Sequence, residues 1–199
     1  MVFSRFLHFG EGLARLAALG AGYATLALSF LVAFEVVARK VFNYSMQGAD
    51  EIGGYVMAIG VAFSFTYALV ERAHTRVDVF YAQCPVFLRA PLNLFASLSL
   101  AGMAVFMFHR GVATLQESIE FKSLASTPLQ TPLWIPQGLW VVGLGLFALF
   151  TAVLALRAIY LVVTRQFGSV NKEFGPRDAD DEIEEAQREL VAQFERPQA

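Results

Sequence analysis

Charge is what this sequence has least of. Only 16% of its 199 residues are Asp, Glu, Lys or Arg, while 56% are apolar and the mean hydropathy is +0.52. Soluble domains carry nearer a quarter charged residues, so the composition leans toward a membrane class. Cysteine is scarcer still. The single Cys84 excludes an intramolecular disulfide and a thiolate metal cluster. Histidine occurs three times, as His8, His74 and His109, each outside the long uncharged runs. A haem bridged between helices by two histidines is therefore not expected. No metal-spaced His/Cys cluster, catalytic triad, phosphate-binding loop or dinucleotide glycine pattern is present, so neither an enzyme nor a cofactor is expected.

What charge there is divides unevenly. Residues 171–199 hold nine acidic and four basic side chains, whereas the preceding 170 hold eight acidic and eleven basic. A basic body with an acidic tail does not suit nucleic acid as a partner. Ile183, Leu190, Val191 and Phe194 share one helical face of the tail. A solvated tail is the simpler reading.

Long apolar runs are abundant. Leu16–Phe34, Ile52–Val70 and Ala90–Phe108 are uncharged, and a fourth uncharged stretch covers Ser123–Leu156. Its part after the last proline, Gln137–Leu156, has the composition of a span. Each run can cross about 30 Å of hydrocarbon at about 1.5 Å per residue, given slight tilt or extension. Helices are expected, since the backbone must satisfy its own hydrogen bonds there. Glu35, Arg39 and Lys40 follow the first run directly, which reads as an uncleaved anchor. Phe3, Phe6 and Leu7, spaced helically away from Arg5, suggest a short interfacial helix before it.

Nine basic residues on the N-terminal segment, second loop and near C-terminal flank stand against four on the other two loops. That bias puts both ends in the cytoplasm. The expected fold is thus an all-α integral membrane protein with four transmembrane helices, cytoplasmic termini and short interfacial helices. Segment 1–15 is cytoplasmic, 16–164 is the membrane domain with spans near 16–38, 51–71, 90–110 and 137–160, and 165–199 is the acidic tail.

No uncharged run has an ionisable residue near its middle, where ion and proton pathways usually declare themselves. Nor is there a matched pair of interrupted half-helices. Small residues recur instead every four positions: Gly54, Ala58, Ala62 and Thr66 in the second run, Ala17, Ala21, Thr25 and Ser29 in the first. Such rows let helices approach closely; in the first run, the abundance of alanine in membrane helices explains the row equally well.

The informative polar residues lie at the edges. Glu35 and Arg39 are four apart in acid-first order. Asp50 and Glu51 open the second helix, where negative charge suits the dipole. These groups read either as local capping or as an outer patch for a partner. At the inner end, His74, Arg76 and Asp78 alternate. They read either as a positive-inside stop or as a polar knot joining two helices. Pro91 suits the first turn of the third helix, which His109–Phe121 continues beyond the membrane. Trp134 and Trp140 are interface anchors at the fourth helix. Pro128, Pro132 and Pro136 before and between them predict an extended, stiff outer segment.

Taken in order, these edges resemble a family. Arg39-Lys40-Val41-Phe42-Asn43, then Asp50-Glu51, then His74-Thr75-Arg76-Val77-Asp78, resemble the small membrane subunit of tripartite ATP-independent periplasmic (TRAP) transporters. Ser126-Thr127-Pro128-Leu129-Gln130-Thr131-Pro132-Leu133-Trp134-Ile135-Pro136-Gln137 also looks like that family's approach to helix four. The likeness organises residues from about 36 to 156. Two departures are Arg72-Ala73, where the family often has a glycine before the histidine, and Gly48-Ala49, where an aromatic commonly precedes the acidic pair.

The resemblance implies a non-catalytic scaffold subunit in a bacterial inner membrane. Its partners would be a large multispan subunit bearing the ion and substrate sites, a periplasmic substrate-binding protein, and membrane lipids. The complex would import organic acids such as carboxylates on a sodium or other ion gradient. Glu35, Arg39, Lys40, Asp50 and Glu51 would serve outer contacts, with Trp134 as an anchor. His74, Arg76 and Asp78 would organise the inner end of helix two, and the loop around Leu115–Gln137 would help receive the binding protein. The alternative is a stand-alone four-helix scaffold for another complex.

Overall fold

The computed structural model describes residues 2–44, 48–70, 85–166 and Gly168. Four helices account for most of them: α1 (Val2–Phe42), α2 (Ala49–Val70), α3 (Val86–Glu120) and α4 (Trp134–Val163). All four are long and apolar enough to cross a membrane. The N-terminal segment expected as a separate interfacial helix is continuous with α1. No proline or positive φ occurs between Val2 and Phe42 to break the helix.

Turn chemistry ends the helices where backbone groups can be satisfied. After α3, Lys122 takes a left-handed φ of 48°, the Lys122 N–H donates to Ile119 O, and Ser123 N–H donates to Ser118 O at 3.0 Å. Arg165, with φ 57°, repeats this after α4, with Gln166 N–H donating to Leu161 O at 2.9 Å. Both are the paired closing bonds of a Schellman end. The start of α3 corrects an expectation. Pro85 is its N-cap, so Pro91 lies inside the helix, beyond the first turn.

The helices pack in the spatial order α1–α2–α4–α3. Directions follow from contacts at glycines. A Cβ on Gly60 would lie 3.5 Å from Ala21 and one on Gly53 3.6 Å from Leu28, so α1 and α2 are antiparallel. Gly143 meets Ala62, and the rings of Phe65 and Phe147 are 5.3 Å apart, so α2 and α4 run the same way. Gly145 faces Phe108 and Gly111 faces Val141, making α3 and α4 antiparallel. The start of α1 and the end of α4 therefore lie on the same side of the molecule.

Burial is concentrated in α4. Of its most apolar eighteen-residue window 44% is buried, against none of that of α1, so α4 is the centre and α1 the edge. Leu69, Ala104, Phe147, Ala148 and Phe150 form one cluster joining α2, α3 and α4. Ala90, Ala158 and Leu161 close the other end of the α3–α4 pair. Of the small-residue row on α2, Ala62 and Thr66 are buried at the α4 crossing, while Gly54 and Ala58 are exposed. On α1, Ala17 and Ala21 are half-buried, whereas Thr25 and Ser29 are exposed and donate to the carbonyls four residues back.

The same contacts fix relative heights. Arg110, beside Gly111, stands level with the Val142–Gly143 region of α4, and Gly143 stands level with Ala62 in the body of α2. The apolar run 90–108 of α3 is thus displaced toward the far end of α2 and is not level with the run 52–70. Neither run alone reveals that offset.

Candidate functional site

The densest polar arrangement among the described residues lies where the α3–α4 connection meets the start of α2. That connection was expected to be extended, and it is a folded hairpin. Leu124 and Pro132 form an antiparallel bridge, Ala125 N–H donates to Thr131 O at 3.0 Å, and Leu133 N–H donates to Ser123 O at 3.0 Å. Gln130 N–H closes the tip onto Thr127 O at 3.0 Å. The prolines permit this. Pro128 occupies the second turn position, where its fixed φ is favourable. Pro136 sits in the first turn of α4, where the missing N–H has no helical partner to lose.

The hairpin is clasped to α2 at two points. Gly48 has φ +94°, and a Cβ there would overlap the Leu129 side chain, so Leu129 seats on a position only glycine leaves open. One turn on, Glu51 is buried at 7% exposure. Its carboxylate accepts from the Thr127 hydroxyl and, at 2.8 Å, from the Tyr55 hydroxyl. Thr131 faces the same carboxylate through its hydroxyl and its backbone. A buried carboxylate needs such donors. Here they come from α2 itself and from a loop 76 positions away in sequence.

The other edge residues are placed as follows. Glu35, also buried, accepts from Arg39 at 2.9 Å, with the guanidinium 61% exposed at its side chain. Lys40 and Asp50 are exposed. Trp134 begins α4 half-exposed and lines an open cleft with Ile119, Lys122, Ser123, Leu124 and Pro132. His74, Arg76, Asp78 and Cys84, and the tail face of Ile183, Leu190, Val191 and Phe194, lie outside the described residues. Among the described residues no cluster of three His, Cys, Asp or Glu could hold a metal.

Glu51 was singled out from sequence, and the structure brings it together with three residues that were not. Tyr55 stands four positions after Glu51, a spacing that places both on one helix face. Thr127 and Thr131 lay within the loop motif, but their target is a long-range contact without a local signal. The arrangement contains donors and acceptors that satisfy one another. Chemically, it joins helices.

Neither curated proteins nor solved structures gave a match to this chain. Residues 28–161, well over half of the chain, match the family described as tripartite ATP-independent periplasmic transporters, DctQ component. That stretch runs from the C-terminal half of α1 to the last turn of α4 and contains the whole Glu51 clasp. With four membrane-length helices in the chain and the match reaching from α1 through α4, the chain is a multi-pass membrane protein that belongs to the DctQ family of TRAP transporter components.

Proposed function

We propose that this chain is the small, non-catalytic scaffold subunit of a TRAP-type secondary transporter of a bacterial inner membrane, with both ends cytoplasmic. A large multispan subunit would carry the ion and substrate sites. A periplasmic binding protein would deliver an organic acid, such as a carboxylate, for uptake on a sodium or other ion gradient. The observation that carries this reading is the family match over 28–161.

The clasp supports a scaffold role. Glu51 spends its carboxylate on Tyr55 and the hairpin, fastening α2 to the α3–α4 pair instead of presenting a charge to a transported ion. In this reading Arg39, Lys40 and Asp50 serve outer contacts, with the buried Glu35 holding Arg39, and Trp134 anchors the fourth helix at the interface. His74, Arg76 and Asp78 order the inner end of α2, and the outer segment around Leu115–Gln137, which takes in the last turns of α3, the hairpin and the first turn of α4, helps receive the binding protein.

The test is uptake of a radiolabelled carboxylate by cells carrying the large subunit and binding protein, with and without this chain. Uptake is expected only with all three. Undiminished uptake without the chain would overturn the proposal.

A further inference from the structure

At the hairpin end of the α3–α4 pair, one cleft combines bare apolar side chains with a charge. Its volume is about 400 Å³, and Ile119, Lys122, Ser123, Leu124, Pro132 and Trp134 line it. Ile119, Leu124 and Trp134 are each half or more exposed. Lys122 is exposed beside them, and among the described residues its ammonium forms no ion pair. Its backbone is held in place. The left-handed φ of 48° belongs to the closing turn of α3, and the neighbouring Ser123 O accepts from Leu133 N–H at 3.0 Å.

Depth decides what can fill the cleft. Lys122 is the last charge before the uncharged stretch Ser123–Leu156, and Trp134 opens α4, the most apolar of the four helices. An indole at the start of such a helix marks the headgroup level. Below it, Val142 and Leu149 are exposed and share with Trp134 an arc of about 80° at 3.6 residues per turn. Val142 is about 12 Å along the axis from Trp134 at 1.5 Å per residue, within roughly half of the hydrocarbon thickness. The cleft therefore opens to water on one side and continues into a lipid-facing strip on the other. Water alone leaves its apolar side chains uncovered, and hydrocarbon alone leaves the ammonium unsolvated. An amphiphile satisfies both. Glu117 and Glu120, the nearest carboxylates along α3, do not line the cleft, so its lining carries one positive charge.

We infer that this cleft is a phospholipid site that prefers an anionic headgroup. The Lys122 ammonium takes the headgroup phosphate, with the Ser123 hydroxyl as a further donor. One acyl chain lies against Ile119 and Trp134 and runs down α4 past Val142. The site goes beyond the transporter reading and does not rest on it; it requires only that the chain spans a membrane.

Trp140→Phe leaves Trp134 as the one indole of the chain and so as its reporter. The full-length variant is placed in nanodiscs of phosphatidylcholine that contain a minor fraction of either phosphatidylglycerol or phosphatidylcholine brominated on the acyl chains. Brominated phosphatidylglycerol should quench Trp134 at about fivefold lower mole fraction than brominated phosphatidylcholine, the factor expected of one lysine near a membrane surface. Lys122→Gln should abolish the difference with Tm unchanged, and Lys122→Arg should keep it. Native mass spectrometry makes the same comparison without the reporter substitution: the wild-type chain should retain one phosphatidylglycerol and Lys122→Gln should lose it. Equal quenching by the two lipids, or quenching by neither, is what bulk lipid or a covering protein partner gives, and either would overturn the site. So would a preference that survives Lys122→Gln.

Discussion

The Thr127 hydroxyl donates to the Glu51 carboxylate, joining the tip of the α3–α4 hairpin to the first turn of α2 across 76 positions. This contact ties a loop to a helix that the loop does not adjoin in sequence, and Tyr55 completes it from the same helix. Glu51→Gln keeps the shape of the side chain but replaces one acceptor oxygen with a donor amide. It should lower the Tm of the purified chain. Thr127→Val should lower it less, and the double variant should lose less than the sum, since both remove one contact. Additive losses by thermal unfolding in detergent would refute the clasp.

Gly48 adjoins the same clasp. Its φ of +94° and the Leu129 side chain above it both oppose a Cβ. Gly48→Ala should cost about 1–3 kcal/mol, as non-glycine residues in sparsely populated backbone regions do. Adding Leu129→Ala should recover only the steric part. Complete recovery in the double variant would show that the backbone conformation carries no cost.

The α2–α4 crossing depends on Gly143. A Cβ there would lie 2.9 Å from Ala62 Cβ and 3.1 Å from Ala62 C. Gly143→Ala should destabilise by about 1–3 kcal/mol through overpacking, and Ala62→Gly should partly rescue it. Failure of rescue in an unfolding titration would mean that the helices separate instead of sharing that contact.

Arg39 discriminates the two readings of the charges at the α1–α2 end. Its ion pair with Glu35 is 2.9 Å long, but the guanidinium is mostly exposed, so Arg39→Ala should change stability by less than about 1 kcal/mol. A partner-facing role predicts that Arg39→Glu reduces recovery of the complex. Normal assembly would leave local capping as its whole function.

Much of this was legible in sequence because membrane helices are written in long, local, apolar runs. All four runs became helices, and the Asp50-Glu51 pair marked the polar start of α2. Three features were not legible. The prolines at 128, 132 and 136 suggested an extended segment, because each restricts its neighbour; a turn at Thr127–Gln130 uses the same restriction to fold back. Pro91 read as a first-turn residue, but Pro85 caps the helix a turn earlier. The offset of α3 is a property of packing, set by Gly111 under Trp140 and Gly145 on Phe108. Periodicity within α3 says which residues share a face, and only the neighbouring helix says how deep that face lies.

The central claim is that this chain is one fixed part of a larger transporter. Affinity purification of the tagged, full-length chain from native membranes, followed by mass spectrometric identification of what accompanies it, tests that most directly. The account predicts a large multispan subunit recovered in equal amount. A chain that purifies alone, or only with proteins unrelated to transport, would contradict it.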